Sequence, residues 1–321
     1  MIISASRRTD ILAYYGDWFF NRIEQGYCTV PNPFNIKQIS VVDLSPENVD
    51  VIVFWTRNPA PVLKNLKNLD DKGYRYYFQY TVNNYPKLYE KSNPSFDSAT
   101  NTFIRLSEKV GPGKVIWRYD PIIFTDDLTS TYHISNFEKI FSKLNMYTNR
   151  IVISIVDNYN KTDRRLKRIN TNYNDNQLGN PFLNEILKYF VELSKTYNIE
   201  IQSCAEQKDF DYLGIKHGKC IDDQLIKDEF GIDIKFKKDK TQRLACGCTQ
   251  SKDIGMNNTC VMGCEYCYAT ITNAKAIENK KKHDPNFSSL IKHELTNEMI
   301  EKIEKFKKGI TVEDSQISLE F

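Results

Sequence analysis

The sequence predicts an α/β fold with a parallel sheet, specifically a (β/α)6-type partial TIM barrel. Short runs rich in β-branched or aromatic residues alternate with segments of helical period from the first residue onward. Such alternation produces a parallel sheet with right-handed crossovers. Polar residues also follow each of the six runs, as they do at the carboxyl edge of a barrel, where active sites are built.

The individual elements follow from these patterns. The predicted strands are 2–5, 51–55, 76–80, 115–117, 151–155 and 199–202. The predicted helices are approximately 15–25, 61–71, 99–109, 134–144 and 183–197. Helix starts and stops carry a glycine or a proline, at Gly26, Pro59, Gly73 and Gly111. The predicted organisation is a barrel core over 1–203, a cysteine-rich auxiliary segment over 204–252, and a segment over 253–321 that completes the barrel.

Two further segments interrupt this pattern. Residues 158–181 are polar and rich in Asn and Arg, and are expected to form a long loop. Its basic side chains would either contact phosphate or nucleic acid, or form a solvated helix face; they are Arg164, Arg165, Lys167 and Arg168. After a linker at about 279–285, an apolar stripe predicts an amphipathic helix over about 289–307 that packs on the core.

Composition limits the class of protein. A chain of 321 residues is long enough for one large domain. Its 44 basic and 41 acidic side chains give a net charge of +3, which offers no electrostatic argument for a nucleic-acid partner. The N-terminus lacks an apolar signal region and the apolar runs are only strand-sized, so we expect a cytoplasmic protein with no membrane partner. In that reducing compartment, eight cysteines are better interpreted as ligands than as disulfides.

The most specific chemical signal is a group of three cysteines that we call the triplet: Cys260, Cys264 and Cys267, at C-x3-C-x2-C spacing with Tyr266 before the third. A tight loop containing Gly263 lets three thiolates turn toward one soft metal centre. A [4Fe-4S] cluster takes four ligands, so the triplet would leave one iron open to a ligand that is not protein. The alternative is a structural zinc site, which usually presents two pairs of cysteines, and only half of the triplet has that spacing.

Four more cysteines form a second group that we call the quartet: Cys204, Cys220, Cys246 and Cys248. Four thiolates complete a closed site, either an auxiliary iron–sulfur cluster or a structural zinc, and spacing does not distinguish the two. Buried free thiols are the remaining alternative. Cys28, alone near the end of the first predicted helix, is expected to be such a buried thiol.

Polar residues at the strand ends are expected to converge on one pocket at the carboxyl edge. The candidates include Asp10, Arg57, Arg118, Asp120 and Glu206. Asp10, Asn58 and Asp120 also have an ordinary alternative role as helix N-caps. The four histidines show no paired ligand spacing and are assigned no role.

The triplet with its aromatic residue resembles the cluster loop of the radical S-adenosylmethionine (SAM) enzymes. The wider loop 257–269 is similar to the version in the spore photoproduct lyase-like branch. The whole chain also resembles an uncharacterised bacterial family, domain of unknown function 1848 (DUF1848). The motifs that carry this second resemblance are Ser-Arg-Arg-Thr-Asp-Ile, Phe-Trp-Thr-Arg-Asn-Pro, Trp-Arg-Tyr-Asp-Pro and Cys-Gly-Cys, together with the triplet.

The chain departs from the radical SAM pattern in two ways. The cluster loop comes last instead of following the first strand, which a circular permutation explains if a strand at about 253–257 precedes strand 2–5 in the sheet. No Gly-Gly-Glu follows strand 2–5. The role of that methionine-binding motif therefore falls, by position, on Ser6, Arg8, Thr9 and Asp10.

The resemblance implies that the triplet ligates three irons of a [4Fe-4S] cluster and that the fourth iron takes SAM. Tyr266 matches the aromatic beside adenine, and Arg57, Arg118, Asp120 and Glu206 become candidates for ribose or substrate contacts. The reduced cluster would cleave SAM to a 5′-deoxyadenosyl radical, which abstracts hydrogen from the substrate. The quartet becomes a candidate auxiliary centre. Implied partners are an electron donor such as flavodoxin or ferredoxin and an unidentified substrate, either a small molecule or a nucleotide or nucleic acid.

A second function remains open from the residues alone. In a non-enzymatic, zinc-stapled, nucleic-acid-binding module, both cysteine groups would hold zinc and the basic segment would contact phosphate. Such a module would require a fourth ligand for the triplet, and no cysteine or histidine follows Cys267 before His283.

Overall fold

A computed structural model describes residues 1–170 and 172–310. The strands are β1 (Ile2–Ala5), β2 (Tyr27–Pro31), β3 (Ile39–Asp43), β4 (Val51–Thr56), β5 (Tyr76–Thr81), β6 (Val115–Ile122), β7 (Arg150–Ile155), β8 (Glu200–Cys204), β9 (Lys216–Gly218) and β10 (Lys252–Asp253). The α-helices are α1 (Ile11–Tyr14), α2 (Gly16–Gln25), α3 (Leu66–Asp71), α4 (Phe96–Val110), α5 (Ser130–Leu144), α6 (Asn160–Ile169), α7 (Leu183–Lys195), α8 (Asp223–Phe230), α9 (Asn273–Lys280) and α10 (Asn297–Lys307). Short 3-10 helices lie at Ala60–Asn65, Pro112–Lys114, Gln177–Gly179 and Asp211–Leu213.

Eight strands form one parallel sheet in the order β10-β1-β4-β5-β6-β7-β8-β9. The predicted α/β class and all six predicted strands are confirmed. The prediction of a six-unit partial barrel is not confirmed, because β9 and β10 extend the sheet to eight strands. Within the described residues no pairing joins these two edge strands, so the sheet is open and not closed into a barrel. β2 and β3 form a separate antiparallel pair.

The two faces of the sheet bury different partners because successive strand residues point to opposite sides. One face carries the main core, in which Phe54, Phe78 and Trp117 pack among the helices. The other face packs Val53 and Ile116 against the segment that carries the quartet. The quartet therefore lies against the sheet itself.

Several element predictions need correction. The expected loop 158–181 contains α6, whose apolar side chains are too few to give a helical signal. The C-terminal helix starts at 297 instead of 289, because Thr296 caps it by accepting a hydrogen bond from the Met299 N–H at 3.3 Å. The expected linker 279–285 overlaps the end of α9. Cys28 is fully buried, as predicted, but it lies in β2.

Among the described residues, no helix has both the length and the apolar character needed to cross a membrane.

Candidate functional site at the carboxyl edge of the sheet

A cavity of about 280 Å³ lies at the carboxyl edge of the sheet. Residues of β6 and residues that follow β1, β4, β7 and β8 meet there, because parallel strands end at the same edge. Both cysteine groups also line it, with all three members of the triplet and all four of the quartet. Eight of the nine strand-end and aromatic candidates line it as well: Ser6, Arg8, Thr9, Asp10, Arg57, Arg118, Asp120 and Tyr266.

Glu206 is the predicted site residue that is not part of the cavity lining. Its carboxyl Oε1 accepts a hydrogen bond of 2.8 Å from the backbone N–H of Ile155, so it supports the end of β7. Burial raises the pKa of Glu206 to about 8. The side chain is therefore predominantly protonated at neutral pH.

The triplet lies on an irregular loop between two cavities. The same three cysteines line the 280 Å³ cavity and a second cavity of about 250 Å³. Gly263 has a φ of +75°, a conformation that favours glycine, and it lets the loop turn between Cys260 and Cys264. Burial raises the pKa of the Cys260 thiol to about 12, and it also raises that of Cys264.

The quartet is a cluster of thiols in contact with one another. The Sγ atoms of Cys204 and Cys220 are 3.0 Å apart. Hydrogen bonds between thiols lower the pKa values of Cys204 and Cys248 and raise those of Cys220 and Cys246. None of these cysteines forms a disulfide. Within residues 1–170 and 172–310, there is no group of three or more His, Cys, Asp or Glu side chains whose positions would let them hold a metal ion.

Tyr266 belongs to a buried network beside the triplet. Its hydroxyl hydrogen-bonds to the carboxylate of Glu90, which also accepts a bond of 2.7 Å from Arg57 Nη1. The Arg57 guanidinium lies 5.5 Å from the centre of the Tyr266 ring. Asn83 Nδ2 donates to the Tyr266 hydroxyl at 3.2 Å. These contacts hold the aromatic ring in place at the cavity wall.

Arg57, Arg118 and Asp120 form what we call the floor of the cavity. Arg118 connects this floor to the quartet. Its Nη2 and Nε donate to Oδ2 of Asp120 at 2.6 and 2.8 Å, and its Nη1 lies 2.9 Å from the sulfur of Cys220. Burial alone would raise the pKa of Asp120, but the Arg118 charge and a hydrogen bond from Ser154 hold it below its usual range. Asp120 is thus an ionised partner of Arg118 and not a helix cap.

Asp10 is the N-cap that the sequence suggested, and it also binds the backbone at the end of β4. Its Oδ1 caps α1 by accepting from the Ala13 N–H at 3.0 Å, and its Oδ2 accepts from the Arg57 N–H at 2.7 Å. Burial raises the pKa of Asp10 to about 6. Asn58 is not the helix cap that the sequence suggested, because Pro59 occupies the N-cap position of the 3-10 helix Ala60–Asn65; Asn58 Oδ1 accepts from the Ala60 N–H at 3.3 Å.

The segment after β1 presents donors that lack protein acceptors. The Thr9 hydroxyl and the Nη2 of Arg7 are buried without a hydrogen-bond partner in the described chain. The Arg8 guanidinium lines the cavity and makes no hydrogen bond or ion pair within residues 1–170 and 172–310. Arg7, which lies 5.0 Å from the Trp55 ring, was missed by the sequence interpretation although it stands between two candidates. Together these groups can bind the anionic end of a ligand.

Sequence reasoning missed other residues around the cavity. Arg243 pairs with Asp157 at the wall, and the rings of Tyr159 and Tyr268 lie 6.3 Å apart. No sequence pattern identified Glu90 as a site residue, because it does not directly follow a strand and belongs to no motif. Arg165 was assigned to a phosphate contact or a solvated face, but it contacts the backbone of the triplet loop instead.

Comparisons with known proteins give one match. Neither the curated proteins nor the solved structures yielded a protein similar to this chain. The model of a family described as "Domain of unknown function (DUF1848)" matches residues 2–269, a range that covers the sheet, the quartet and the triplet. The chain therefore belongs to the DUF1848 family.

Proposed function

We propose that the protein is a radical SAM enzyme that uses a [4Fe-4S] cluster on the triplet. The observation that carries the proposal is that the three triplet thiols and Tyr266 line the same cavity as the polar groups of the strand ends. A structural metal site has no need of such a cavity, whereas a cluster with one open iron requires one for its ligand and substrate.

The triplet fits a cluster in its donor set and surroundings. Cys260, Cys264 and Cys267 supply three soft sulfur ligands, and cavities of about 280 and 250 Å³ flank them. A cluster of four irons is larger than a single ion, so it accepts thiolates that are too dispersed to surround one ion. When bound, the cluster would supply the electron that cleaves SAM to the radical that abstracts hydrogen from the substrate.

The chain's own residues then have distinct tasks. The unpartnered Nη2 of Arg7 and hydroxyl of Thr9, together with Arg8 of the cavity lining, are suited to the carboxylate of SAM. The face of Tyr266, held by Glu90, is suited to adenine. Ser6 and Asp10 are engaged with other protein groups, so we assign them the positioning of this segment instead of direct contacts.

Arg57, Arg118 and Asp120 are proposed to contact ribose or substrate at the cavity floor. Their charges are mutually compensated, since Arg118 pairs with Asp120 and Arg57 with Glu90. These ion pairs keep the side chains ordered, while their remaining N–H groups are available to a ligand. The side chains therefore need to move little when the substrate binds. Glu206 is reassigned to support of β7.

The strand order supports a circularly permuted partial barrel. β10, which precedes the triplet, pairs in parallel with β1, and β4 to β8 follow in chain order. The triplet thus follows the strand that would be first in the radical SAM order.

The quartet is proposed as a second metal centre, either an auxiliary iron–sulfur cluster or zinc. It collects four soft ligands from three separate segments beside the positive charges of Arg7 and Arg118. These charges offset the negative charge of bound thiolates. Iron and zinc per chain in Cys246→Ala/Cys248→Ala, compared with wild type, distinguish the two metals.

The proposed setting is the cytoplasm, with an electron donor such as flavodoxin or ferredoxin. The substrate is a small molecule, or a nucleotide or nucleic acid. The cavity contains both acidic and basic side chains, so charge alone does not favour one of these classes.

The decisive experiment is to measure iron and acid-labile sulfide per chain in anaerobically purified protein. We expect about four irons to be lost from Cys260→Ala/Cys264→Ala/Cys267→Ala. They should be retained in Cys28→Ala, a control that removes a buried thiol of β2 that belongs to neither group. Reduced wild type with SAM should release 5′-deoxyadenosine, and the triple variant should not.

Zinc in place of iron, without sulfide, would instead favour the nucleic-acid-binding module. The geometry offers that alternative little support. Of the four basic side chains that this module would use to contact phosphate, Arg165 binds the backbone of the triplet loop and Arg168 binds the carboxylate of Glu265.

A further inference from the structure

Arg165 holds the backbone of the triplet loop with its whole guanidinium group. Its Nε donates to the carbonyl of Glu265 at 2.7 Å, and its Nη1 donates to the carbonyls of Thr270 and Ile271 at 2.5 and 2.9 Å. Its Nη2 donates to the carbonyl of Cys267. One side chain of α6 therefore contacts four carbonyls on both sides of the third cysteine.

The side chain of Glu265 strengthens this attachment. Glu265 is buried, and its carboxylate pairs with Arg168 Nη2 at 3.0 Å and with Lys91 Nζ at 2.8 Å. Its backbone N–H donates to the carbonyl of Tyr89 at 2.9 Å. The loop is thus held between α6 on one side and the segment after β5 on the other.

The loop needs such external support because it has no regular secondary structure between β10 and α9. Its carbonyl groups lack the partners that a helix or a sheet would supply, and buried carbonyls without partners are costly. Arginine suits this task because its planar fork of five N–H donors is preorganised. The side chain is only 13% exposed, so its charge is poorly screened by solvent.

The position of this charge matters for any anionic group on the triplet. Arg165 interacts electrostatically with both Cys267 and Cys264. A fixed positive charge beside an iron–sulfur cluster favours its reduced form, since net charge and hydrogen bonding around a cluster set its potential.

We propose that Arg165 is a positioning residue for the triplet, which both retains the cluster and raises its reduction potential. The inference rests on the proposed iron–sulfur function. In this role Arg165 neither contacts phosphate nor forms part of a solvated helix face, the two alternatives that the sequence offered for the basic side chains of 158–181.

The experiment compares Arg165→Ala and Arg165→Lys with a matched control, Arg164→Ala. Arg164 is exposed on the same helix, so the control removes the same group one residue away. Each full-length protein is purified anaerobically, and loss of cluster absorbance to an iron chelator is followed in time. The midpoint potential is measured by redox titration with electron paramagnetic resonance detection.

Arg165→Ala should lose its cluster faster than wild type, on the order of tenfold to 100-fold, as is typical when residues that support metal ligands are removed. Its midpoint potential should be more negative. Arg165→Lys keeps the charge but not the fork, so its potential should stay near that of wild type while its cluster is lost faster. This separation distinguishes positioning from a general loss of stability, and Arg165→Lys remains informative if the alanine variant folds poorly.

If Arg165→Ala binds a cluster with the same lifetime and midpoint potential as Arg164→Ala, the inference is overturned and the proposed function remains intact. Wild-type protein that takes up no iron and sulfide would overturn both. The two failures are therefore distinguishable.

Discussion

The hydroxyl of Ser6 donates a hydrogen bond of 2.7 Å to Oδ1 of Asp253, across 247 residues of chain. Asp253 also accepts from the Ser4 hydroxyl at 2.6 Å and from the backbone N–H groups of Arg7 and Gly255, each at 2.9 Å. This carboxylate joins the segment after β1 to the edge strand β10. It thereby places the candidate anion-binding donors beside the triplet loop.

Replacing Asp253 with alanine should lower the free energy of unfolding by at least about 2 kcal/mol, because several partly buried donors lose their acceptor. Urea denaturation is the measurement. Asp50→Ala is the control, since among the described residues the Asp50 carboxylate pairs with the N-terminal amine at the surface, and it is 46% exposed. Equal stability of the two variants would contradict the proposed importance of this junction.

The ion pair of Arg57 and Glu90 should be far more sensitive to truncation than an exposed pair. Glu90→Ala leaves a buried guanidinium uncompensated, which costs about 3 to 5 kcal/mol of stability. Tyr266→Phe removes only one hydroxyl from the same network and should cost about 1 kcal/mol. Thermal and urea unfolding measure both. A Glu90→Ala variant no less stable than Tyr266→Phe would exclude a buried, strongly coupled pair.

Gly255 lies against Ser6, so an alanine in place of Gly255 should displace the Ser6 side chain. An added Cβ would lie 2.0 Å from the Ser6 Oγ and 2.6 Å from its Cβ. Gly255→Ala should therefore cost about 1 to 3 kcal/mol through overpacking. Ser6→Gly removes the clashing atoms, so the double variant should be more stable than the sum of the two single effects predicts. Simple additivity would show that the clash is relieved elsewhere.

His133 should make stability depend on pH. Burial lowers its pKa from 6.5 to about 4, and its ring hydrogen-bonds to the Tyr119 hydroxyl and the Ile123 carbonyl. Between these two pH values the unfolded chain binds a proton that the folded chain does not. This group's contribution is therefore fully present above pH 6.5 and is lost as the pH falls toward 4, to a total of about 3 kcal/mol.

The measurement for His133 is urea unfolding at several pH values, for wild type and His133→Gln. The variant should be less stable at neutral pH but should show a shallower decline between pH 6.5 and 4. Curves that run parallel over this interval would show that His133 does not supply the effect.

Much of the fold was predictable because its signals are local. A buried parallel strand such as β4 is a short apolar run with β-branched residues, and it can be recognised without its neighbours. β9 was missed because it contains only three residues, too few to show any period. The strand expected at about 253–257 is β10, which has only two residues and lies at Lys252–Asp253. α6 was missed because its polar sequence offers little apolar periodicity, while its main contacts are made by arginine with another segment.

The sequence alone determined which side chains can bind a soft metal and which ends of the strands are polar, since spacing and strand direction are local properties. Only the tertiary structure decided that both cysteine groups line one cavity and that the sheet stays open at β9 and β10. It also decided that Arg165, rather than a solvent-facing neighbour, holds the triplet loop. The Arg165 contacts join residues 100 or more positions apart, and all three relationships depend on how the packed helices and strands place the loops between them.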